Sequence, residues 1–317
     1  MSAVAPGAAA ARAAEASGIP GTSGAVRAAP PGGTGPGGAL VGWLLATPFV
    51  ATLAVFLLVP IAMIVAVSFW QASDFGYEPA FVAENYAWLL GSPVTLSVYA
   101  NTLLYTALTW ALTLGLGFTV AWFLAFHVRS TGWQIGLFLV CTIPFWTSNI
   151  IRMISWIPFL GRNGIANSAL LEAGLVDAPL EWLLFSDFAV VLAFVHLYTL
   201  FMIVPIFNSM IRIDRAVIEA ARDAGASGWQ ILVHVVLPLC TPGIMIGSIF
   251  VVTLVMGDFI TVRFMSGGQS ASVGRTIANE IGLLQYPAAS ANAVVLLVTV
   301  LLMVGAMLRF VDIRREL

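Results

Sequence analysis

Six long stretches of apolar residues, separated by shorter polar segments, dominate the pattern of this chain. Each approaches the roughly 20 residues that an α-helix needs to cross a bilayer, and lipid offers no hydrogen-bond partners to an open backbone. The pattern therefore predicts an all-α, polytopic membrane protein with six transmembrane helices, whose spans are kinked or locally loosened at Pro48, Pro60, Pro144 and Pro205. The predicted spans are residues 42–69, 101–126, 133–157, 188–211, 239–262 and 291–310.

Composition supports a membrane location and narrows the function. Hydrophobic residues make up 60% of the 317 positions and charged residues only 9%, against roughly 25% charged in soluble domains. Every basic residue is an arginine, and without a lysine the chain cannot form a Walker-type phosphate-binding loop. A net charge of −2 argues against a nucleic-acid partner. Residues 1–40, rich in Ala, Gly and Pro, are predicted to be a disordered cytoplasmic tail, and residues 41–317 the transmembrane domain.

The placement of arginines predicts the orientation of the chain. Nine of them lie in the tail, the 127–131 turn, the 212–222 segment and the C-terminus, and four lie on the other side. The positive-inside rule therefore places both termini and the loop around Glu219 in the cytoplasm. The outer connections carry more acids than bases, which would suit an approaching cation. The same excess also arises if arginine is simply kept inside.

The polar segment between the fourth and fifth stretches predicts two short helices. Asp214 can cap the first helix, and Gly225 can close it in a left-handed turn. Ser227 and Gln230 have the spacing of a capping box that opens a second helix, whose length Pro238 should limit.

The first of these two helices has one face of small side chains. Val217, Ala220, Ala221 and Ala224 recur on it at helical spacing. Small side chains let a helix lie close within a groove of another protein. An amphipathic hairpin that touches only lipid is the alternative, but such a hairpin does not require the glycine and the proline at these distances.

No residues in the chain have the spacing of a catalytic or metal site. His127, His196 and His234 lie on different segments and are expected to be hydrogen-bonded structural residues. Cys141 and Cys240 fall in or beside apolar runs, where we expect buried thiols, since a disulfide framework uses several exposed cysteines. The sequence therefore predicts neither a catalytic residue nor a metal ligand.

Two charged residues lie inside predicted spans. Arg152 and Asp258 each fall in the outer third of an apolar stretch, and a charge at the centre of a span would cost roughly 2.5–3.5 kcal/mol. Residues of this kind usually face the interior of a bundle or a pathway. They could pair with each other, contact a solute or lie at the lipid–water interface.

Aromatic and polar side chains elsewhere in the spans are candidates for lining a pathway. Trp146 could face a cation through its ring, Asn149 could hydrogen-bond a solute, and Tyr198 offers a hydroxyl in the fourth span. An aromatic belt and polar packing between helices explain the same residues without a solute.

The segment around Glu219 resembles the EAA loop of the membrane subunits of binding-protein-dependent ABC importers. Seven positions have the residues and spacing of that loop: Glu219, Ala220, Ala221, Gly225, Val235, Leu237 and Pro238. Within the family, the chain looks most similar to the spermidine/putrescine permease branch. The similar stretches are FVAENYAWLL (81–90), IPFWTSNIIR (143–152), IEAARDAG (218–225), LPLCTPGI (237–244) and GDFIT (257–261). The long tail and the lack of lysine depart from the family pattern.

The resemblance implies a MetI-like permease domain over residues 41–317 with a cytoplasmic coupling-helix loop between spans four and five. The residues it assigns to ATPase coupling are Glu219, Ala220, Ala221, Arg222, Asp223 and Gly225. The implied partners are a cytoplasmic ATP-binding subunit, a second homologous permease and a periplasmic or extracellular solute-binding protein. No cofactor is expected on this chain, because ATP and Mg²⁺ would bind to the partner ATPase. The implied location is the bacterial inner membrane, with several passes.

The resemblance points to a polyamine, spermidine or putrescine, as the transported solute. Another small organic solute, such as an amino-acid derivative, an opine or an organophosphonate, is the alternative. An ion-coupled secondary transporter would instead show charges near the middle of its spans and an inverted repeat. A membrane enzyme would need clustered acids, histidines or a nucleophile, and the chain lacks these.

Overall fold

A computed structural model describes residues 36–73 and 76–310 of the chain. By its internal contacts the chain divides into two units, Met1–Leu58 and Val59–Leu317. Nearly all of the predicted tail lies outside the described residues, and the first helix begins at Pro36.

Helices form nearly all of the described structure. In the first unit, α1 (Pro36–Leu53) is followed by a π-helical turn, Ala54–Leu58. The helices of the second unit are α2 (Val59–Val67), α3 (Glu84–Gly91), α4 (Pro93–Trp122), α5 (Thr131–Thr142), α6 (Asn149–Leu160), α7 (Ile165–Glu172), α8 (Asp187–Met210), α9 (Arg215–Asp223), α10 (Gly228–Ile231), α11 (Leu237–Gly257), α12 (Ile260–Met265), α13 (Val273–Gly282) and α14 (Tyr286–Phe310). A small antiparallel hairpin of β1 (Gln71–Ser73) and β2 (Gly76–Glu78) follows α2. The predicted all-α class is confirmed, with this hairpin as an addition.

Five helices of the described residues are long and apolar enough to cross a membrane, and a bent pair of helices would make a sixth crossing. The five are Leu44–Val67, Pro93–His127, Glu181–Met210, Gly228–Gly257 and Tyr286–Arg309. Each overlaps one of the predicted spans. The bent pair stands at the place of the third predicted span, so the six-span architecture is confirmed with that change.

The third crossing is not one straight helix. Its two arms, Thr131–Trp146 and Asn149–Glu172, meet at an angle of 91°. Pro144 lies in a 3-10 turn at the end of the first arm, and the residue after that turn has an extended backbone. Because proline has no N–H to continue the helical bonding, the helix stops there. The break at Pro144 is confirmed, but the prediction of one continuous span over residues 133–157 is wrong.

The fifth span begins earlier than predicted. Its helix runs over Gly228–Gly257, so Pro238 lies in the first turn of α11 and does not end the preceding helix. A π-helical turn, Leu232–Val236, changes the hydrogen-bond register just before the proline. Pro238 stands at the first turn of α11, where a missing N–H is tolerated. The predicted limit at Pro238 is therefore wrong, and the fifth span begins and ends earlier than the predicted 239–262.

Helix α8 lies at the centre of the second unit, packed between α4 and α11. Gly243 and Gly247 of α11 allow close approach: a Cβ added to Gly247 would lie 2.7 Å from the sulfur of Met202, and one added to Gly243 would collide with the carbonyl of Pro205. On the α4 side, a Cβ on Gly117 would lie 2.8 Å from Cγ of Met202. Small residues let helix backbones approach in lipid, where dispersion and hydrogen bonds drive association. These contacts hold α4, α8 and α11 together.

Candidate functional site

The loop between the fourth and fifth spans begins with a capped helix, as predicted. Oδ1 of Asp214 accepts a hydrogen bond from the N–H of Ala216 at 2.9 Å and caps α9. Gly225 adopts a φ of +85°, a backbone angle that residues other than glycine rarely adopt. Beyond it, the N–H of Ala226 donates to the carbonyl of Ala221 at 3.0 Å and closes the helix.

The second helix of this loop also opens as predicted. The Ser227 hydroxyl accepts from the N–H of Gln230 at 3.3 Å, and Oε1 of Gln230 accepts from the N–H of Ser227 at 2.8 Å. This reciprocal pair is a complete capping box. Helix α9 is therefore held between two tight turns, and the fifth span starts directly after the second turn.

The small residues of α9 divide between two faces. Ile218 and Ala221 pack against the buried core of the second unit. Val217, Ala220 and Ala224 are exposed on the other side. Of the predicted small-residue face, three members are thus accessible to another protein, and Ala221 instead helps to seat the helix on the bundle.

Two of the charged coupling residues of α9 face a third direction. Glu219 and Arg222 line a cavity of 590 Å³ between α9 and the end of α4. Asp223 and Gly225 are exposed at the end of the helix. The six predicted coupling residues therefore lie on one short helix and its closing turn, but they do not share one face.

Two predicted pathway residues meet inside the bundle. The hydroxyl of Tyr198 donates to Oδ2 of Asp258 at 2.6 Å. Thr261 donates to the same carboxylate twice, from its N–H to Oδ1 at 2.8 Å and from Oγ1 to Oδ2 at 2.9 Å. Asp258 is only 9% exposed, so it does not lie at the lipid–water interface. Its carboxylate fixes the junction between α11 and α12 to α8.

Arg152 does not pair with Asp258. The ion pair found in the described part of the chain joins the exposed side chains of Arg162 and Glu181 at 3.3 Å. Nε of Arg152 is buried without a hydrogen-bond partner there, and so is Oδ1 of Asn149, one turn earlier. The alternative of an Arg152–Asp258 pair is therefore wrong, because hydroxyl and amide donors satisfy the carboxylate.

Arg152 instead lines two cavities, of 350 and 380 Å³, together with Trp156 and His196. Nε1 of Trp156 donates to Nδ1 of His196 at 3.1 Å, so the prediction of a hydrogen-bonded histidine is confirmed at this position. Trp146 lines neither cavity; it is 80% exposed at the bend of the third crossing. With a guanidinium and aromatic walls, these cavities can accept a polar solute that carries an anionic group.

Sequence reasoning did not select Trp156 or Thr261. Trp156 follows Arg152 by four residues and therefore shares its helix face. Thr261 follows Asp258 by three residues, the spacing at which a carboxylate caps a helix. Both residues could have been found from these spacings. The contact of Tyr198 with Asp258 could not, because it joins residues 60 positions apart.

One buried carboxylate lies outside the membrane spans. Glu280, on α13, is 8% exposed, and both of its oxygens accept from Nδ2 of Asn292, at 2.9 and 3.0 Å. Burial raises the pKa of Glu280, and the hydrogen bond from Asn292 offsets part of that rise. No group of three His, Cys, Asp or Glu residues in the described ranges is placed to hold a metal ion.

Comparison with known proteins identifies the family. Residues 117–314, more than half of the chain, match the binding-protein-dependent transport system inner membrane component family. The chain belongs to this family. This permease is 31% identical over 266 residues to the spermidine/putrescine transport system permease protein PotB of Escherichia coli K12, covering 83% of this chain and 92% of that protein. It is 33% identical over 252 residues to PotB of Haemophilus influenzae, covering 78% and 86%.

Solved structures share the fold of this permease. A chain of the bacterial alginate ABC transporter, crystallised with an alginate pentasaccharide-bound periplasmic protein, superposes with a TM-score of 0.72 at 16% identity. The match covers 87% of this chain and 96% of that one. At this identity the likeness concerns the fold alone. The family assignment and the permease relatives make the chain a multi-pass inner-membrane permease subunit of an ABC importer.

Proposed function

We propose that this permease imports a polyamine such as spermidine or putrescine. The observation that carries the proposal is the 31–33% identity to spermidine/putrescine permeases across 78–83% of the chain. The excess of acids on the predicted outer connections is consistent with a cationic solute, because an acidic entrance attracts cations.

In this proposal, a separate cytoplasmic subunit binds ATP and Mg²⁺ and drives the import. The exposed Ala220 and Ala224 let α9 enter a groove of that ATPase, with the other residues of 219–225 completing the contact. A second homologous permease forms the other half of the pathway. A periplasmic or extracellular solute-binding protein delivers the solute, and both termini of this chain lie in the cytoplasm.

The geometry suggests how movement of the ATPase reaches the pathway. Helix α9 sits between two capped turns, and the spans on either side of the loop contain α8 and α11, which pack closely through Gly243 and Gly247. Displacement of α9 would therefore move this pair of spans together. We propose alternating access, in which closure of the ATPases opens the pathway outward and hydrolysis returns it inward.

The proposed solute contacts are Trp146 and Asn149. An exposed indole ring can bind an amine cation by its face. The amide oxygen of Asn149, buried without a partner among the described residues, could accept a hydrogen bond from the amine once the pathway opens. Tyr198 and Asp258 are proposed to hold the pathway wall in shape. Arg152 favours a second candidate function, because its guanidinium, whose Nε has no hydrogen-bond partner among the described residues, suits a solute with a carboxylate or phosphonate group.

The two candidates can be separated in the reconstituted complex. The complex is assembled with its partner subunits, and ATPase activity is measured with the binding protein loaded with spermidine, putrescine or an organophosphonate. We expect the polyamine-loaded binding protein to stimulate the ATPase activity. Arg152→Gln should lower this stimulation no more than the control Arg162→Gln does. Stimulation by the phosphonate alone, abolished in Arg152→Gln but not in Arg162→Gln, would establish the second candidate instead.

The docking of α9 is tested by the accessibility of single cysteines. Cys141 and Cys240 are replaced by serine, and one cysteine is placed at Ala220 or, as a control, at Leu175, which is 72% exposed on a predicted outer connection. We expect a membrane-impermeant maleimide to label position 220 only from the cytoplasmic side and position 175 only from outside. The bound ATPase should protect position 220. Labelling of position 220 from outside would refute the docking role.

A further inference from the structure

A basic cavity of 590 Å³ lies between the end of α4 and helix α9. Three arginines, Arg129, Arg215 and Arg222, and one acid, Glu219, line it. Among the described residues, none of these four makes an ion pair. Three guanidinium groups against one carboxylate give the cavity a net positive charge without an internal partner to neutralise it.

The same cavity also has apolar walls. The rings of Trp122 and Phe126, with centroids 4.8 Å apart, are half-buried there. The span Pro93–His127 ends among the lining residues, and the span Gly228–Gly257 begins among them. By length and composition, the cavity therefore lies at the ends of two candidate spans, where a phospholipid would carry its phosphate above the glycerol backbone and the acyl chains.

We propose that this cavity binds the headgroup of an anionic phospholipid. Arginine is suited to this ligand, because its planar guanidinium can donate two parallel hydrogen bonds to a phosphate. Trp122 and Phe126 would cover the adjoining acyl carbons. Basic pockets beside transmembrane helices are known to take acidic lipid headgroups on electrostatic grounds.

The lipid site shares Glu219 and Arg222 with the proposed ATPase contact, whereas Ala220 and Ala224 belong to the ATPase contact alone. Positions 215, 219 and 222 recur at helical spacing and form one stripe, which faces the cavity. Ala220 and Ala224, four residues apart, form another stripe and are exposed. A bound lipid would support α9 from the membrane side and leave its small-residue face accessible. The inference is therefore independent of the solute, and variants at Arg129 or Arg215, which lie outside residues 219–225, separate it from the docking role.

The test uses the full-length chain, purified from its membrane with the subunits that remain bound. Phosphatidylglycerol or phosphatidylcholine is titrated in, and retained lipid is counted by native mass spectrometry. We expect phosphatidylglycerol to be retained in preference to phosphatidylcholine. In Arg129→Gln the affinity for phosphatidylglycerol should fall about fivefold, which is the contribution of one arginine near an anionic surface. Arg129→Lys, which keeps the charge, should retain most of the binding. Arg309→Gln, an exposed arginine at the end of α14, is the matched control and should bind normally.

Several results would overturn the inference. These are equal retention of the two lipids, equal losses in Arg129→Gln and Arg309→Gln, or full displacement of the lipid by inorganic phosphate at matched concentration. If Arg129→Gln loosens the ATPase but keeps the lipid, the cavity belongs to the ATPase, and the inference fails while the docking proposal stands. Should Arg129→Gln elute as aggregate, Arg215→Gln provides the same comparison.

Discussion

Replacing Tyr198 by phenylalanine should destabilise the bundle by removing one hydrogen bond and no packing. The lost donor is the hydroxyl that reaches Oδ2 of Asp258 at 2.6 Å, while the two bonds from Thr261 remain. Hydrogen bonds to charged groups contribute about 1.5–3 kcal/mol, whereas interhelical hydrogen bonds measured in membranes average about 0.6 and reach about 1.7 kcal/mol. The two ranges overlap at about 1.5 kcal/mol. We expect a loss of that size in the unfolding free energy, because the acceptor is both charged and buried.

The assay is equilibrium unfolding of the purified chain in mixed micelles, with Tyr286→Phe as the control. The hydroxyl of Tyr286 makes no hydrogen bond in the described part of the chain, and its side chain is 37% exposed. A double-mutant cycle of Tyr198→Phe with Asp258→Ala should give a coupling free energy of about 1–2 kcal/mol. If Tyr198→Phe is no less stable than Tyr286→Phe, or if the coupling is zero, the contact does not hold α8 to the α11–α12 junction.

Three other substitutions test the packing and the outer region. In Gly247→Leu the new side chain should collide with Met202 and lower the unfolding free energy by about 1–3 kcal/mol. Gly305→Leu, where the added side chain meets open space, should lower it little. Equal effects of the two variants would contradict the packing. Burial makes the pKa of Glu280 higher in the folded chain than in the unfolded chain. The stability that the protonated side chain contributes is therefore fully present below the pKa of the unfolded chain and is lost as the pH rises through the pKa of the folded chain. The melting temperature of wild type relative to Glu280→Gln should therefore fall from acid to neutral pH, and a constant difference would refute this. Asn167 is fully buried and makes three hydrogen bonds to the backbone of Gly161 and Leu180. Asn167→Ala should therefore lower stability by about 1–3 kcal/mol; an unchanged melting temperature would contradict that role.

The parts of the fold that were predictable from sequence depend on local physics. Spans follow from apolar length, and the caps of α9 and α10 follow from Asp214, Gly225, Ser227 and Gln230, whose conformations depend on immediate neighbours. Proline was predictive at residue 144, where the helix breaks, but misleading at residue 238. A π-helical turn shifts the hydrogen-bond register before Pro238, and nothing in the apolar pattern signals such a turn.

The parts of the candidate site that were not predictable depend on distant contacts. Arg152 and Asp258 have opposite charges within apolar stretches, so pairing was a reasonable alternative from the sequence. The structure instead gives Asp258 its donors from Tyr198 and Thr261 and leaves Nε of Arg152 without a partner among the described residues. Which partner satisfies a buried charge depends on the packing of α8 against α11 and α12, and a single sequence does not encode this packing visibly.

The most direct test of the central claim is ATP-driven uptake of radiolabelled spermidine into proteoliposomes that contain this permease with its partner subunits. Wild type is compared with Gly225→Pro, because proline cannot adopt the φ of +85° found at this turn. We expect accumulation by wild type only when ATP is present on the ATPase side, and none by Gly225→Pro despite normal insertion and purification. Accumulation without ATP, or normal accumulation by Gly225→Pro, would contradict the central claim.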